Sequence, residues 1–416
     1  MLMYSYVTKE LRVEIEALLV RMSTFFDDAA EMNHCGLMKG NAGIALFFAY
    51  YTRLTQNERH YHTAMGFLEK SLEAISSLNQ ANGLGGGFCG PAWLIKHLIR
   101  LDLLTSDSVA ALEDIEPYII DALSIQLEVG NYDLLYGFIG SAIYLLEEDN
   151  PGNHQYYEQI LQWFSNNKKI TGNGEVWWED WQPGIQHKAN LGLAHGIPGI
   201  VNFLIYLDKH YPTDTTKDLI RNAIAWVLSK ETQRGLTSFP AMASGEGPET
   251  DMAESRLAWC YGDLGIVSML YNAAVGLNEP AYVCKAGLVM RKVAVRRLHN
   301  SKVMWDKTLD YHDPCFCHGT SGILYQFNRI LQYNNDPEIL TAADYWLKAT
   351  IANTNKMLDH FSELEMSKEI VADETIILNH FGVLTGLAGI GLTLINCIRP
   401  DLNKWDSILL LNQPGS

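Results

Sequence analysis

Two thiols and two imidazoles stand at matching offsets ahead of paired glycines. His195 directly precedes Gly196, Cys260 lies two residues before Gly262, and Cys317 and His318 directly precede Gly319. Gly196, Gly262 and Gly319 each open a Gly-x-x-G tetrad. In a repeat protein, equivalent positions of successive repeats project to equivalent places, so these side chains are expected to converge. Two thiolates with one imidazole, from Cys260, Cys317 and His318, suit zinc, which tolerates soft donors and tetrahedral geometry. Three protein ligands would leave one position open, as a catalytic zinc requires.

A closed structural site is the alternative, with Cys315 or His195 as the fourth ligand, since Cys315-Phe316-Cys317 can chelate. His195, one repeat ahead of Cys260, should face the same space, and an imidazole is well poised to move protons near neutral pH. Asp133, four residues before Gly137, and Arg256, four before Cys260, can add a carboxylate and a guanidinium, or can be surface ion pairs. Cys35, Cys89, Cys284 and Cys397 read as small buried hydrophobes.

What positions these residues is a sevenfold pattern. Tetrads begin at Gly40, Gly87, Gly137, Gly196, Gly262, Gly319 and Gly386, 47 to 67 residues apart, which leaves room for two helices and their loops per repeat. After most tetrads comes an almost uncharged apolar run, such as IALFFAYY after Gly43, predicting an inner helix buried on most sides. Between tetrads lie amphipathic outer helices: Tyr61, Ala64, Met65, Leu68, Leu72 and Ile75 form one face, opposite Glu69, Lys70 and Glu73. Glycine at the entrance of an inner helix lets the backbone turn sharply and neighbours approach. The expected fold is all-α, a closed single domain over 1–416, with a helix around Leu11 to Phe26 completing the seventh pair. The polar segment from Gln233 to Ser255 is expected to form a rim over a central cavity, and Trp177, Trp178 and Trp181 to pack beneath it or grip a peptide.

Composition excludes more than it selects. With 48% hydrophobic and 19% charged residues the chain can bury a large core. A net charge of -17 without a basic stripe argues against nucleic acid and is compatible with a cationic partner. Seven cysteines without compact spacing, and no signal-peptide pattern, point to a reducing cytosol. Asn379 to Ile398 lacks charge, but its glycines, Asn379, His380 and Asn396 read better as a buried inner helix than a membrane span.

Leu193-Ala194-His195-Gly196, Arg256-Leu257-Ala258-Trp259-Cys260-Tyr261-Gly262, Cys317-His318-Gly319-x-Ser321-Gly322 and Tyr132-Asp133 with Gly137 resemble the signature of the lanthionine synthetase C-like cyclases, especially the stand-alone cyclases of class I lantibiotic biosynthesis. The resemblance implies an α/α toroid of seven inner and seven outer helices with Zn2+ on Cys260, Cys317 and His318. It makes His195 the proton-transfer residue, with Asp133, Arg256 and Tyr261 lining the site. The implied reaction is Michael addition of precursor-peptide cysteine thiols to dehydroalanine or dehydrobutyrine, giving lanthionine or methyllanthionine rings. Implied partners are a dehydrated precursor (leader plus core), a dehydratase and a membrane exporter, so the expected location is cytoplasmic, with peripheral membrane association through that complex. No segment stands out for the extra subdomain that some relatives carry.

The rival readings are addition of glutathione or another free thiol to dehydroamino acids, and a non-catalytic zinc-stabilised helical binding module. A glycosidase or isoprenoid cyclase would need paired carboxylates or an aspartate-rich motif, which the tetrads lack.

Overall fold

The computed structural model describes residues 4–26, 34–75, 83–148, 150–185, 187–232, 235–245, 254–367 and 380–411, with side chains 364–367 left aside. Every tetrad leads into a helix. These are α2 (Asn41–Thr55), α4 (Cys89–Arg100), α6 (Phe138–Leu146), α8 (Ile197–His210), α10 (Asp263–Gly276), α13 (Thr320–Leu331) and α15 (Leu387–Ile398). Alternating with them are α1 (Lys9–Phe25), α3 (Glu58–Ile75), α5 (Glu116–Val129), α7 (His154–Asn167), α9 (Asp214–Ser229), α11 (Ala281–Ala294) and α14 (Pro337–Ser367), with a short α12 (Leu298–Ser301) after α11.

The two series differ as their sequences require. All twelve residues of α13 and all twelve of α15 are buried; α15 is almost wholly apolar or small, whereas α13 also buries Gln326, Asn328 and Arg329. Outer helices bury one stripe, such as Leu219, Ile220, Ala223, Ile224 and Val227 of α9, and α9 and α1 are capped by side chains: Thr213 Oγ1 accepts from Thr216 N at 3.0 Å and Thr8 Oγ1 from Leu11 N at 3.2 Å. On α3 the buried stripe is Ala64, Phe67, Leu68, Ser71 and Ala74, rotated from the expected face, so that Met65, Leu72 and Ile75 are only half-buried. A polar contact sets that rotation, because Ser71 Oγ donates to Cys35 O at 2.6 Å.

Why glycine both opens and closes the tetrads is visible in the turn itself. A Cβ on Gly196 would lie 2.1 Å from Asn190 O, and one on Gly322 would lie 1.7 Å from Phe316 O, each six residues upstream. The chain doubles back on its own carbonyls, so the crowding partner is the preceding turn more than a neighbouring helix. Gly262 adds φ +99°, a region that favours glycine.

Two compact units make up the chain, and both are discontinuous: residues 1–115 with 303–405, and 116–302 with 406–416. In the first, α13, α15, α2 and α4 pack in that order, and α1 lies on α15 and α14, supplying the helix expected to complete the seventh pair. Its turns are laced by backbone bonds between residues of equal rank: Cys317 N donates to Leu384 O (2.8 Å), Leu384 N to Met38 O (3.2 Å) and Met38 N to Gly85 O (3.2 Å). In the second unit α6, α8 and α10 pack in sequence, and its C-terminal segment is tied in by Trp259 Nε1 donating to Leu409 O (3.1 Å) and Asn202 Nδ2 to Leu410 O (2.9 Å).

Three short antiparallel hairpins complete the structure: β1 (Lys169–Ile170) with β2 (Val176–Trp177), β3 (Lys188–Asn190) with β4 (Met242–Ser244), and β5 (Trp305–Asp306) with β6 (Tyr311–His312). Of the segment expected to form a rim, 233–234 and 246–253 lie outside the described residues; β4 belongs to the remainder. Trp177 and Trp178 are packing residues, the first stacked on Trp226 and the second donating to Phe164 O at 3.0 Å. No helix among the described residues is long and apolar enough to cross a membrane; Asn379 lies outside them.

Candidate active site

Four of the tetrads are preceded, six residues before the first glycine, by a side chain that accepts from the backbone N–H two residues on. Asn131 Oδ1 accepts from Asp133 N (3.0 Å), Asn190 Oδ1 from Gly192 N (2.8 Å), Asp313 Oδ1 from Cys315 N (2.8 Å) and His34 Nδ1 from Gly36 N (3.1 Å). These local turns fix the loop that carries the chemistry-bearing residues into each inner helix.

In the turn before α6, Asp133 is fully buried and both its oxygens are used. Oδ1 accepts from Leu135 N (2.8 Å) and Tyr136 N (3.0 Å), while Oδ2 lies 2.5 Å from His195 Nδ1. A carboxylate so fixed holds Nδ1 protonated and turns Nε2 outward, the arrangement an acid–base imidazole needs. Burial alone would depress the His195 pKa; the hydrogen bond and charge of Asp133, with Cys260 and Asp180, outweigh it and raise the group above its ordinary value. Tyr261 lies beside His195, ring centroids 6.1 Å apart, and its hydroxyl accepts from Asn190 Nδ2 at 3.0 Å. Burial, above all, pushes that phenol up, so it stays protonated at neutral pH.

Asp180 adds a carboxylate that the motifs did not single out. It is 6% exposed, its Oδ1 accepts from Gln182 N at 2.9 Å, and its Oδ2 has no hydrogen-bond partner among the described residues. Arg256, expected to help at the site, has an exposed side chain, while its backbone carbonyl packs against Gly262.

Cys260, Cys317 and His318 form one group whose candidate ligand atoms all lie within 4.8 Å of one another. His318 Nε2 lies 3.2 Å from Asp313 Oδ2, which directs Nδ1 to any metal and supplies the carboxylate that metal-binding imidazoles habitually carry behind them. A competing set, Asp313, Cys315 and His318, is equally compact. It fits zinc less well. Cys315 Sγ donates to Asp313 Oδ2 at 3.1 Å, and burial, helped by Asp313, pushes its thiol up to about 11, so it is held protonated. Two thiols and one carboxylate-backed imidazole are a donor set zinc accepts.

Asp313 and Asn190 were missed by reading the residues nearest the glycines. Their signal was present, since Asn or Asp recurs six residues before Gly137, Gly196 and Gly319.

Comparison with known proteins agrees with this layout. The chain is 22% identical over 327 residues to "Glutathione S-transferase LANCL1" of Danio rerio, covering 76% of this chain and 74% of that protein. It is 23% identical over 375 residues to "Nisin biosynthesis protein NisC" of Lactococcus lactis subsp. lactis, covering 85% and 83%. Among solved structures, "Nisin cyclase" superposes with a TM-score of 0.70 at 18% identity, over 97% of this chain and 98% of that one. The fold is therefore that structure's α/α toroid, in keeping with an alternation of seven largely buried and seven one-sided helices. The sequence profile described as "Lanthionine synthetase C-like protein" matches residues 31–410, and with the tetrads, the Cys-Cys-His group and the His195–Asp133 pair all inside that span, the chain belongs to the lanthionine synthetase C-like family.

Proposed function

We propose that the protein is a zinc-dependent lanthipeptide cyclase, adding cysteine thiols of a dehydrated precursor peptide to dehydroalanine or dehydrobutyrine in the same peptide. The observation that carries this is the 4.8 Å Cys260–Cys317–His318 group, in a chain that also holds a carboxylate-oriented imidazole. Cys260, Cys317 and His318 would hold zinc, which would supply the Lewis acidity for a substrate thiol to ionise at neutral pH. In the addition, sulfur forms a bond to the β-carbon, the thiol proton is released, and the α-carbon takes up a proton. His195 delivers that proton from Nε2, while Asp133 holds the ring through Nδ1. Tyr261, kept protonated, donates toward the developing negative charge, and Arg256 offsets it from the exposed side. The dehydrated leader-plus-core peptide, a dehydratase and a membrane exporter are the proposed partners, in the cytoplasm.

The likeness to LANCL1 supports a second reading, in which glutathione is the thiol. One assay separates the two: zinc per chain, with free-thiol loss and glutathione adducts followed on a dehydrated precursor. Cyclisation predicts thiol loss at constant mass, and glutathione addition a mass gain. Cys317→Ala should lose both zinc and thiol loss; full thiol loss by a metal-free Cys317→Ala protein would end the zinc reading.

A further inference from the structure

The first unit carries a cavity of about 310 Å³ beside His318 that the reaction as derived does not use. Met304, Asp306, Tyr311, Asp313, Met357 and Thr385 are among the residues lining it. Its β5–β6 hairpin is braced by Trp305 stacked on His312, with centroids 6.1 Å apart. Asp306 caps the hairpin turn, Oδ1 accepting from Thr308 N (2.8 Å) and Leu309 N (3.1 Å), which fixes its carboxylate at the cavity.

Two chemistries meet there. The methionines, Pro314 and the Tyr311 ring give an apolar wall, and Asp306 and Asp313 give negative charge. Asp313 is already matched by His318 and Cys315, whereas Asp306 makes no ion pair among the described residues. Lys356 is committed to Asp310 at 2.9 Å. Thr385 Oγ1, also lining the cavity, is buried without a hydrogen-bond partner among the described residues. Tyr311 reports the same field: burial first, then Asp313 and Asp306, pushes its hydroxyl up to about 12.

We propose that this cavity receives a lysine or arginine side chain of the substrate peptide near its reacting cysteine. The alkyl stem lies along Met304, Met357 and Tyr311, and the cation meets Asp306. This rests on the reading of the Cys260–Cys317–His318 group as a thiol-addition site, and it deepens that reading by naming the substrate class. A chain of net charge -17 favours a cationic peptide in the same sense. Glutathione, with two carboxylates and one ammonium, is disfavoured by the same groups.

The test uses the zinc-loaded full chain and fluorescent peptides with serine in place of the reacting cysteine, carrying lysine, norleucine or glutamate beside it. Anisotropy should show the lysine peptide binding roughly fivefold tighter than norleucine, with glutamate weakest. Asp306→Asn should bring lysine and norleucine level while leaving norleucine binding and zinc content unchanged, and high salt should narrow the wild-type gap. Equal binding of lysine and norleucine by the wild type, or a lysine preference that survives Asp306→Asn, overturns the proposal. Free-thiol loss on the matching cysteine–dehydroalanine peptides is read in parallel. A lysine preference without thiol loss supports the cavity and defeats the cyclase reading, and thiol loss without a preference does the reverse.

Discussion

His195 and His318 show one residue type given different work by a neighbouring carboxylate. Asp133 binds His195 through Nδ1 and Asp313 binds His318 through Nε2, so the two rings offer opposite nitrogens. His195→Asn is expected to keep zinc and lose cyclisation by about 10²- to 10⁴-fold, seen as metal content against thiol loss. A variant that empties the metal site would make His195 a ligand. The pH dependence follows from the raised His195 pKa. An acid works when protonated, so the rate holds below that pKa and falls as pH rises through it. In Asp133→Asn the main raising influence is gone and burial is left to depress the group, so the fall in kcat/KM should move to lower pH. Asp313→Ala should weaken zinc about 10- to 100-fold in a competitive chelator titration, because the imidazole loses its orienting partner. The grouping of Cys260, Cys317 and His318 was legible in the sequence because repeats place Cys260 with Cys317, and His195 with His318, at equal offsets from glycine. Asp180 was not, since it sits on a connection outside the repeat pattern and reaches its neighbours only through folding.

At the level of elements, the tetrads announced where each buried helix begins, but not what crowds their glycines. That the obstacle is a carbonyl six residues back makes substitutions separable. Gly322→Ala should destabilise by about 4 kcal/mol or more, because a Cβ 1.7 Å from backbone cannot be relieved by a rotamer change. Gly66→Ala, on α3 with nothing within 4 Å, should stabilise by about 0.5–1 kcal/mol, and paired urea melts would show both. Periodicity also misjudged the α3 face by a small rotation, since hydrophobicity alone could not foresee the Ser71 bond to Cys35 O.

Asp263, just inside α10, anchors the loop before β4: its carboxylate accepts from Ser238 N (2.9 Å to Oδ2) and Phe239 N (3.0 Å to Oδ1). Burial outweighs these bonds and raises its pKa from 3.8 to about 6. The folded state therefore holds the proton more tightly than the unfolded one, and stability falls as pH rises across that window. Relative to Asp263→Asn, the wild type should lose about 3 kcal/mol between its unfolded and folded pKa values, in urea melts taken at each pH. A flat difference would show that the two backbone donors fully compensate the burial.

For the whole molecule, the sevenfold spacing led to the fold class because each repeat needs its neighbours to cover an inner helix. Which stretches group together was not legible, because equal spacing says nothing about which turns bond most strongly. The pairing of 1–115 with 303–405, and of 116–302 with 406–416, has a consequence for how the chain is made. A ribosome emits α2 long before α15, the helix it packs against, and Trp259 long before Leu409, whose carbonyl receives its indole. Folding of each unit to a protease-resistant state must wait for its late segment, and nascent chains stalled anywhere before α15 should remain open to digestion and dependent on chaperones.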